Sequence, residues 1–102
     1  MIRIVKLTFK EDKINDFLQF FDTVKHIVNN FPGCEGMQLL QDIHQPTIVM
    51  TYSHWQKEDD LEKYRISPEF QHIWGTIKPW FSEKAQAWSV DPYYNGFNEK
   101  KS

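Results

Sequence analysis

The sequence holds one cysteine, Cys34, two alanines, Ala85 and Ala87, and four glycines in 102 residues. A single cysteine makes neither an internal disulfide nor a cysteine zinc site. No apolar run approaches the roughly 20 residues that span a bilayer, so membrane insertion is not expected. Lys and Arg total 12 against 14 Asp and Glu, a formal charge of −2. The sole adjacent pair of lysines is Lys100-Lys101. Without a basic stretch to track a phosphate backbone, nucleic-acid binding is excluded as a first reading. Residues Met1–Lys6 lack the apolar core of a secretion signal. With one thiol and no signal, the expectation is a cytoplasmic protein.

Aromatics are what the chain has instead: eight Phe, four Tyr and four Trp, 16% of all residues. One domain of this length buries roughly 60–70% of its unfolded surface. Large flat side chains in so small a fold either close the core or line a cavity.

Periodicity orders the chain. Residues 2–9 are rich in β-branched and aromatic types and read as a strand, with Val5, Leu7 and Phe9 on one face. Over residues 12–30 the period becomes helical, carried by Ile14, Phe17, Leu18, Phe21, Val24, Ile27 and Val28, with Asp12 as the expected cap. Residues 34–43 and 47–55 read as an antiparallel pair around Pro46, which has no donor for a central ladder. The second member alternates Ile48, Met50, Tyr52 and His54 with smaller or β-branched residues. Residues 57–66 predict a short charged helix. Ser67-Pro68-Glu69 then restarts a helix, with Ser as cap and Pro at the first helical position, and Pro79 breaks it. Residues 84–90 alternate as a last strand. The order β-α-β-β-α-β is the ferredoxin-like arrangement, an α+β fold on a four-stranded antiparallel sheet. The domain is expected over residues 1–90, with a tail over 91–102.

Five local features, in this order and spacing, resemble one family. Phe31-Pro32-Gly33-Cys34-Glu35-Gly36 leaves the first helix and enters the second strand. Pro46 marks the hairpin, and Trp55 ends the third strand. Ser67-Pro68-Glu69-Phe70 opens the last helix, and Pro79-Trp80-Phe81 closes it. The series resembles the antibiotic biosynthesis monooxygenase domain family, within the dimeric α+β barrel superfamily, over about residues 1–90. The resemblance implies a homodimer whose two sheets pack into a barrel with the helices outside. It implies a ligand cavity in each subunit between the sheet and its helices. Relatives include cofactor-independent oxygenases of polycyclic phenols or hydroquinones, haem-degrading enzymes, and enzymes that process a quorum-sensing sugar derivative.

The departures narrow this range. Haem-degrading relatives carry an Asn on the first strand, where this chain has Lys6, Leu7 and Thr8. Tyr64 stands near the position of their Trp, and Trp74 where their ligand His is expected. Quinol-type relatives often carry a His at the position of Glu69.

A cofactor-free oxygenase needs an electron-rich substrate, a base that forms its anion, and a water-poor pocket. Histidine suits the role of base because its pKa lies near working pH. His54 is the first candidate, at the end of the face carrying Tyr52 and so expected at a pocket rim; the alternative is a half-exposed His at a strand end. His72 is a weaker candidate, since Ile73 and Trp74 claim the inward stripe of its helix. His26 and His44 read as solvated. No two His stand at i,i+2 or i,i+4, so no metal is expected. Tyr52, Tyr64, Trp74 and Trp80 are the candidate substrate contacts. Phe17, Phe21 and Phe70 read as core, and Trp55 as a plug at the strand end. Trp88 reads as a dimer contact, and Tyr93, Tyr94 and Phe97 are expected to dock on the partner subunit or cover the barrel edge. Cys34 reads as a packed thiol.

The expected function is a cofactor-independent monooxygenase acting on a flat phenol or quinol, with no metal or organic cofactor. The alternatives are a non-catalytic dimer that binds a small ligand and, further off, a haem-binding protein.

Overall fold

Strand alternation along the first seven paired residues sets the geometry of the whole molecule. The computed structural model describes residues 1–99 and shows β1 (Ile2–Thr8), α1 (Ile14–Asn29), β2 (Cys34–Gln41), β3 (Ile48–Trp55), α2 (Glu58–Arg65), α3 (Pro68–Ile77) and β4 (Gln86–Val90). A 3-10 turn, Lys78–Trp80, follows α3 where Pro79 stops the α-helix. The sheet order is β2-β3-β1-β4 with every neighbour antiparallel. This is the ferredoxin-like α+β arrangement, with its second helical segment divided at Ser67-Pro68. Residues 100–102, the end of the expected tail, lie outside the described residues.

Pairing register decides which face of each strand meets the helices. Leu7 pairs with Val49 and Val5 with Thr51. Leu7, Phe9 and Val49 are almost fully buried, at 3%, 2% and 0% exposure, and pack with Phe17 and Ile77. The odd-numbered residues of β1 and β3 therefore lie under the helices. The even-numbered residues occupy the other face. Each fully buried side chain of this size stabilises the fold by about 1.5–3 kcal/mol. A second apolar cluster joins Trp55, Leu61 and Tyr64, with Phe31 and Phe70 against them.

The ends of the elements have local causes. Ser67 caps α3, its Oγ accepting from the Phe70 N–H at 3.1 Å while donating to the Tyr64 carbonyl at 2.6 Å. Asp12, expected to cap α1, does not. The N-cap is Lys13, without a side-chain bond, and the Lys10 carbonyl accepts from Lys13 and Ile14 N–H instead. Strand β2 stops two residues earlier than its sequence suggests. The Asp42 carboxylate accepts from the His44 and Gln45 N–H groups, both at 2.8 Å, and folds the chain into the hairpin turn. Those two bonds hold the Asp42 carboxyl below its usual range. Gly33 adopts φ +88°, and Gln56 N–H donates to its carbonyl at 2.9 Å, tying the start of β2 to the end of β3.

All helices lie on one side of the sheet. The other side exposes Trp88, Val90 and Leu40, with Ile4 half-buried between Tyr52 and Trp88 in the cross-strand row. Tyr93, Tyr94 and Phe97 are likewise exposed in the single chain. Among the described residues, no helix is long and apolar enough to cross a membrane.

Candidate functional site

A cavity of about 340 Å³ separates the two apolar clusters, between the sheet and the helices. That is within the range of small-molecule sites. Its floor is the helix-facing side of the sheet. Arg3, Val5 and Leu7 of β1 contribute, beside Thr51, Ser53 and Trp55 of β3. Both alanines of the chain, Ala85 and Ala87, also line it. Ala87 pairs with Val5 on β1, so the edge strand presents a methyl group where a larger residue would fill the space. Scarcity of alanine elsewhere makes this placement informative: the chain is small where the cavity is.

The walls are aromatic. Phe70 and Trp74, one turn apart on α3, stack with centroids 5.7 Å apart and planes at 11°. Tyr64 on α2 stacks on Trp55 at 5.6 Å and meets Phe70 edge-on at 5.2 Å. These four rings form a continuous wall, and such surfaces favour flat ligands through offset and edge contacts. Burial pushes the Tyr64 phenol up to about 12, with the neighbouring Cys34 and Glu69 acting in the same direction. Tyr64 is therefore neutral near pH 7, able to donate a hydrogen bond and unable to act as a base.

Polar groups gather at one end. Arg3 pairs across the sheet with Ser53 on one side and Ser89 on the other. Its Nη1 donates to Ser89 Oγ at 3.0 Å. Trp55 Nε1 donates to Ser53 Oγ at 2.9 Å. Arg65, at the end of α2, also lines the cavity, and its Nη1 pairs with Glu62 Oε1 at 3.0 Å. Burial holds the Arg3 guanidinium below its usual range, the Arg65 charge adds to this, and Glu62 opposes it.

The histidines stand elsewhere. His54 and Tyr52 are neighbours, as the strand pattern implies, with His54 Nε2 3.2 Å from the Tyr52 hydroxyl. Both occupy the sheet face opposite the helices, and neither lines the cavity. The expected pocket rim therefore lies on the wrong side for them. The register Val5↔Thr51 turns the small face of β3 inward and sends its large face out. His72 is exposed on α3, edge-on to Phe20 at 6.1 Å. Trp80 also packs edge-on to Phe20, at 6.3 Å, and does not line the cavity. Tyr64 and Trp74 do line it. Among the described residues no three His, Cys, Asp or Glu side chains come together as a metal site. Cys34 is half-buried, and burial pushes its thiol up, away from thiolate chemistry.

Sequence reasoning missed Arg3, Arg65 and Ser53. The signal for Arg3 was present in the alternation, since Arg3 shares parity with Val5, Leu7 and Phe9. A cation in an apolar register marks either a snorkelling side chain or a site.

Comparison with known proteins agrees with this architecture. No curated protein matches the chain. Among solved structures, a candidate antibiotic biosynthesis monooxygenase from Nitrosomonas europaea superposes with a TM-score of 0.83 at 19% identity, covering 91% of this chain and 98% of the other. A conserved protein from Methanosarcina mazei Go1 gives 0.78 at 21% identity, covering 84% and 86%. A further candidate monooxygenase, from Deinococcus radiodurans, gives 0.78 at 16% identity, covering 92% and 95%. At these identities the likeness is one of fold. The sequence itself carries the assignment: residues 1–74 match the profile described as antibiotic biosynthesis monooxygenase, so the chain belongs to that family.

Proposed function

We propose that this protein is a cofactor-independent monooxygenase that takes a flat phenol or quinol into the cavity between sheet and helices. One observation carries the reading. A chain of this family keeps a cavity of about 340 Å³ walled by stacked aromatic rings, with cations at one end. The reaction class needs nothing more from a cofactor. The substrate anion transfers an electron to O2, the radical pair joins as a ring hydroperoxide, and loss of water leaves a carbonyl. Written on the phenol's keto tautomer, a ring CH2 and O2 become C=O and H2O, with the substrate supplying all four electrons. The protein positions the ring, excludes water and stabilises the anion. Tyr64 and Trp74 are the proposed ligand contacts. His54 cannot serve as base for a ligand in this cavity from its own subunit, because the sheet stands between them. Deprotonation then rests on the substrate's own acidity, favoured by nearby guanidinium charge.

The absence of a His or carboxylate from the described cavity lining also favours the second reading, a dimer that binds a small ligand without turning it over. Oxygen uptake by the purified protein with a panel of hydroquinones and anthrones separates the two. Uptake that survives His54→Ala and falls in Trp74→Ala supports the enzyme. Saturable binding with no uptake across the panel supports the binding protein.

The uncovered sheet face, which carries Trp88 on its edge strand, is the proposed dimer interface. Two such faces packed together form the expected barrel and bury the Tyr52–His54 pair. Light scattering should give a dimer for the wild type and a monomer for Trp88→Glu; a wild-type monomer at micromolar concentration removes the barrel.

A further inference from the structure

We infer that the cavity selects an aromatic acid, with Arg3 and Arg65 holding its carboxylate and the stacked rings holding its apolar body. The inference rests on the cavity being the substrate site.

Arg3 occupies a register position that its strand otherwise gives to Val5, Leu7 and Phe9. It is half-buried, and among the described residues no carboxylate lies within 4 Å of it. Among the described residues its one side-chain hydrogen bond is to a neutral hydroxyl, Ser89 Oγ. Removing a guanidinium partly from water without a counter-ion is costly, and an anion recovers that cost. Arg65 lines the same cavity and has, among the described residues, one acidic partner, Glu62. Two guanidiniums against one carboxylate leave a positive charge in excess. No other charged side chain among the described residues lines the cavity. A planar guanidinium fork matches a carboxylate with two parallel N–H donors, so an acid group at this end would be fixed in orientation as well as bound.

The test uses 2-naphthoate and its neutral isostere 2-naphthamide, titrated calorimetrically into the full chain. Wild type should bind naphthoate roughly tenfold or more tightly than naphthamide, as expected for a hydrogen-bonded charge pair. Arg3→Gln and Arg65→Gln should each remove most of that preference, weakening naphthoate far more than naphthamide. Glu62→Gln should tighten naphthoate binding, a change that a merely structural role would not produce. Arg65 is exposed at a helix end, so its variant keeps the test alive if Arg3→Gln fails to fold. Equal affinity for the two probes in wild type, a preference that survives both arginine variants, or no binding of either overturns the inference. Oxygen uptake is read separately. Uptake with a neutral quinol and no preference for naphthoate leaves the oxygenase standing and removes the acid. Preference for naphthoate without uptake from any phenol leaves the acid site and removes the oxygenase.

Discussion

The Trp55 indole N–H donates to the Ser53 hydroxyl at 2.9 Å, two residues back on the same face of β3. Both side chains are buried, Trp55 to 1% exposure. A strand places i and i+2 side by side, so the most deeply buried large ring of the fold is satisfied by its own strand and needs no water. Ser53→Ala leaves that N–H without a partner at a cost of about 1–3 kcal/mol. For a domain of this size, thermal unfolding should then begin about 4–8 °C lower for each kcal/mol lost. In a double-mutant cycle with Trp55→Phe, the combined loss should be smaller than the sum of the two single losses. Additive losses would mean that the bond contributes nothing.

Gly33 and Gly75 make opposite predictions. Gly33 has φ +88°, and a Cβ there would collide with the Asp60 side chain in the first turn of α2. Gly33→Ala should cost about 1–3 kcal/mol, from left-handed backbone strain and displacement of α2. Gly75 lies within α3, and a methyl group added there would meet nothing within 4 Å. Gly75→Ala should raise stability by about 0.5–1 kcal/mol through helix propensity alone. Urea midpoints at constant m-value measure both, and a neutral Gly33→Ala would separate the Phe-Pro-Gly motif from any steric requirement.

The fold was legible because two periods write it. Val5, Leu7 and Phe9 at period two, and Ile14, Phe17 and Val24 at helical spacing, define the faces that meet. Ser67-Pro68 announced its helix start chemically. The site was less legible, because alternation gives two faces to β3 without saying which one turns inward. Size suggested that Tyr52 and His54 line the cavity. The pairing of Thr51 with Val5, a long-range fact, puts them outside. Residues that create space are also hard to read, since Ala85 and Ala87 matter through what they do not fill.

Tyr64 should govern an alkaline loss of stability. Its phenol is raised to about 12 in the folded chain, chiefly by burial, against an ordinary value of 10. Below pH 10 both folded and unfolded states hold the proton, and the group's contribution is fully present. Between about pH 10 and 12 the unfolded phenol ionises while the folded one does not. Unfolding then releases a proton, and stability falls as pH rises. The loss is on the order of 2–3 kcal/mol across that window. Tyr64→Phe keeps the ring against Trp55 and Phe70 and removes the titration. Its denaturation midpoint should therefore fall less than that of the wild type between pH 9 and 11.5. Parallel curves would assign the alkaline transition to other groups.

Ala87 offers a way to close the cavity without disturbing the core. It lies on the short edge strand β4, opposite Val5, is itself exposed, and contributes its methyl to the cavity lining. Ala87→Leu places a branched side chain over the floor between Val5 and the helices. Because the position is exposed and borders open space, the change in stability should stay within about 0.5 kcal/mol. Affinity for a flat aromatic ligand should nevertheless fall by roughly tenfold or more, since lost burial and a steric clash act on the ligand alone. Ala87→Ser, which adds little volume, should bind as the wild type does. Calorimetric titration of the three proteins with the same naphthyl ligand decides the matter. Equal binding by Ala87→Leu would place the ligand outside this cavity.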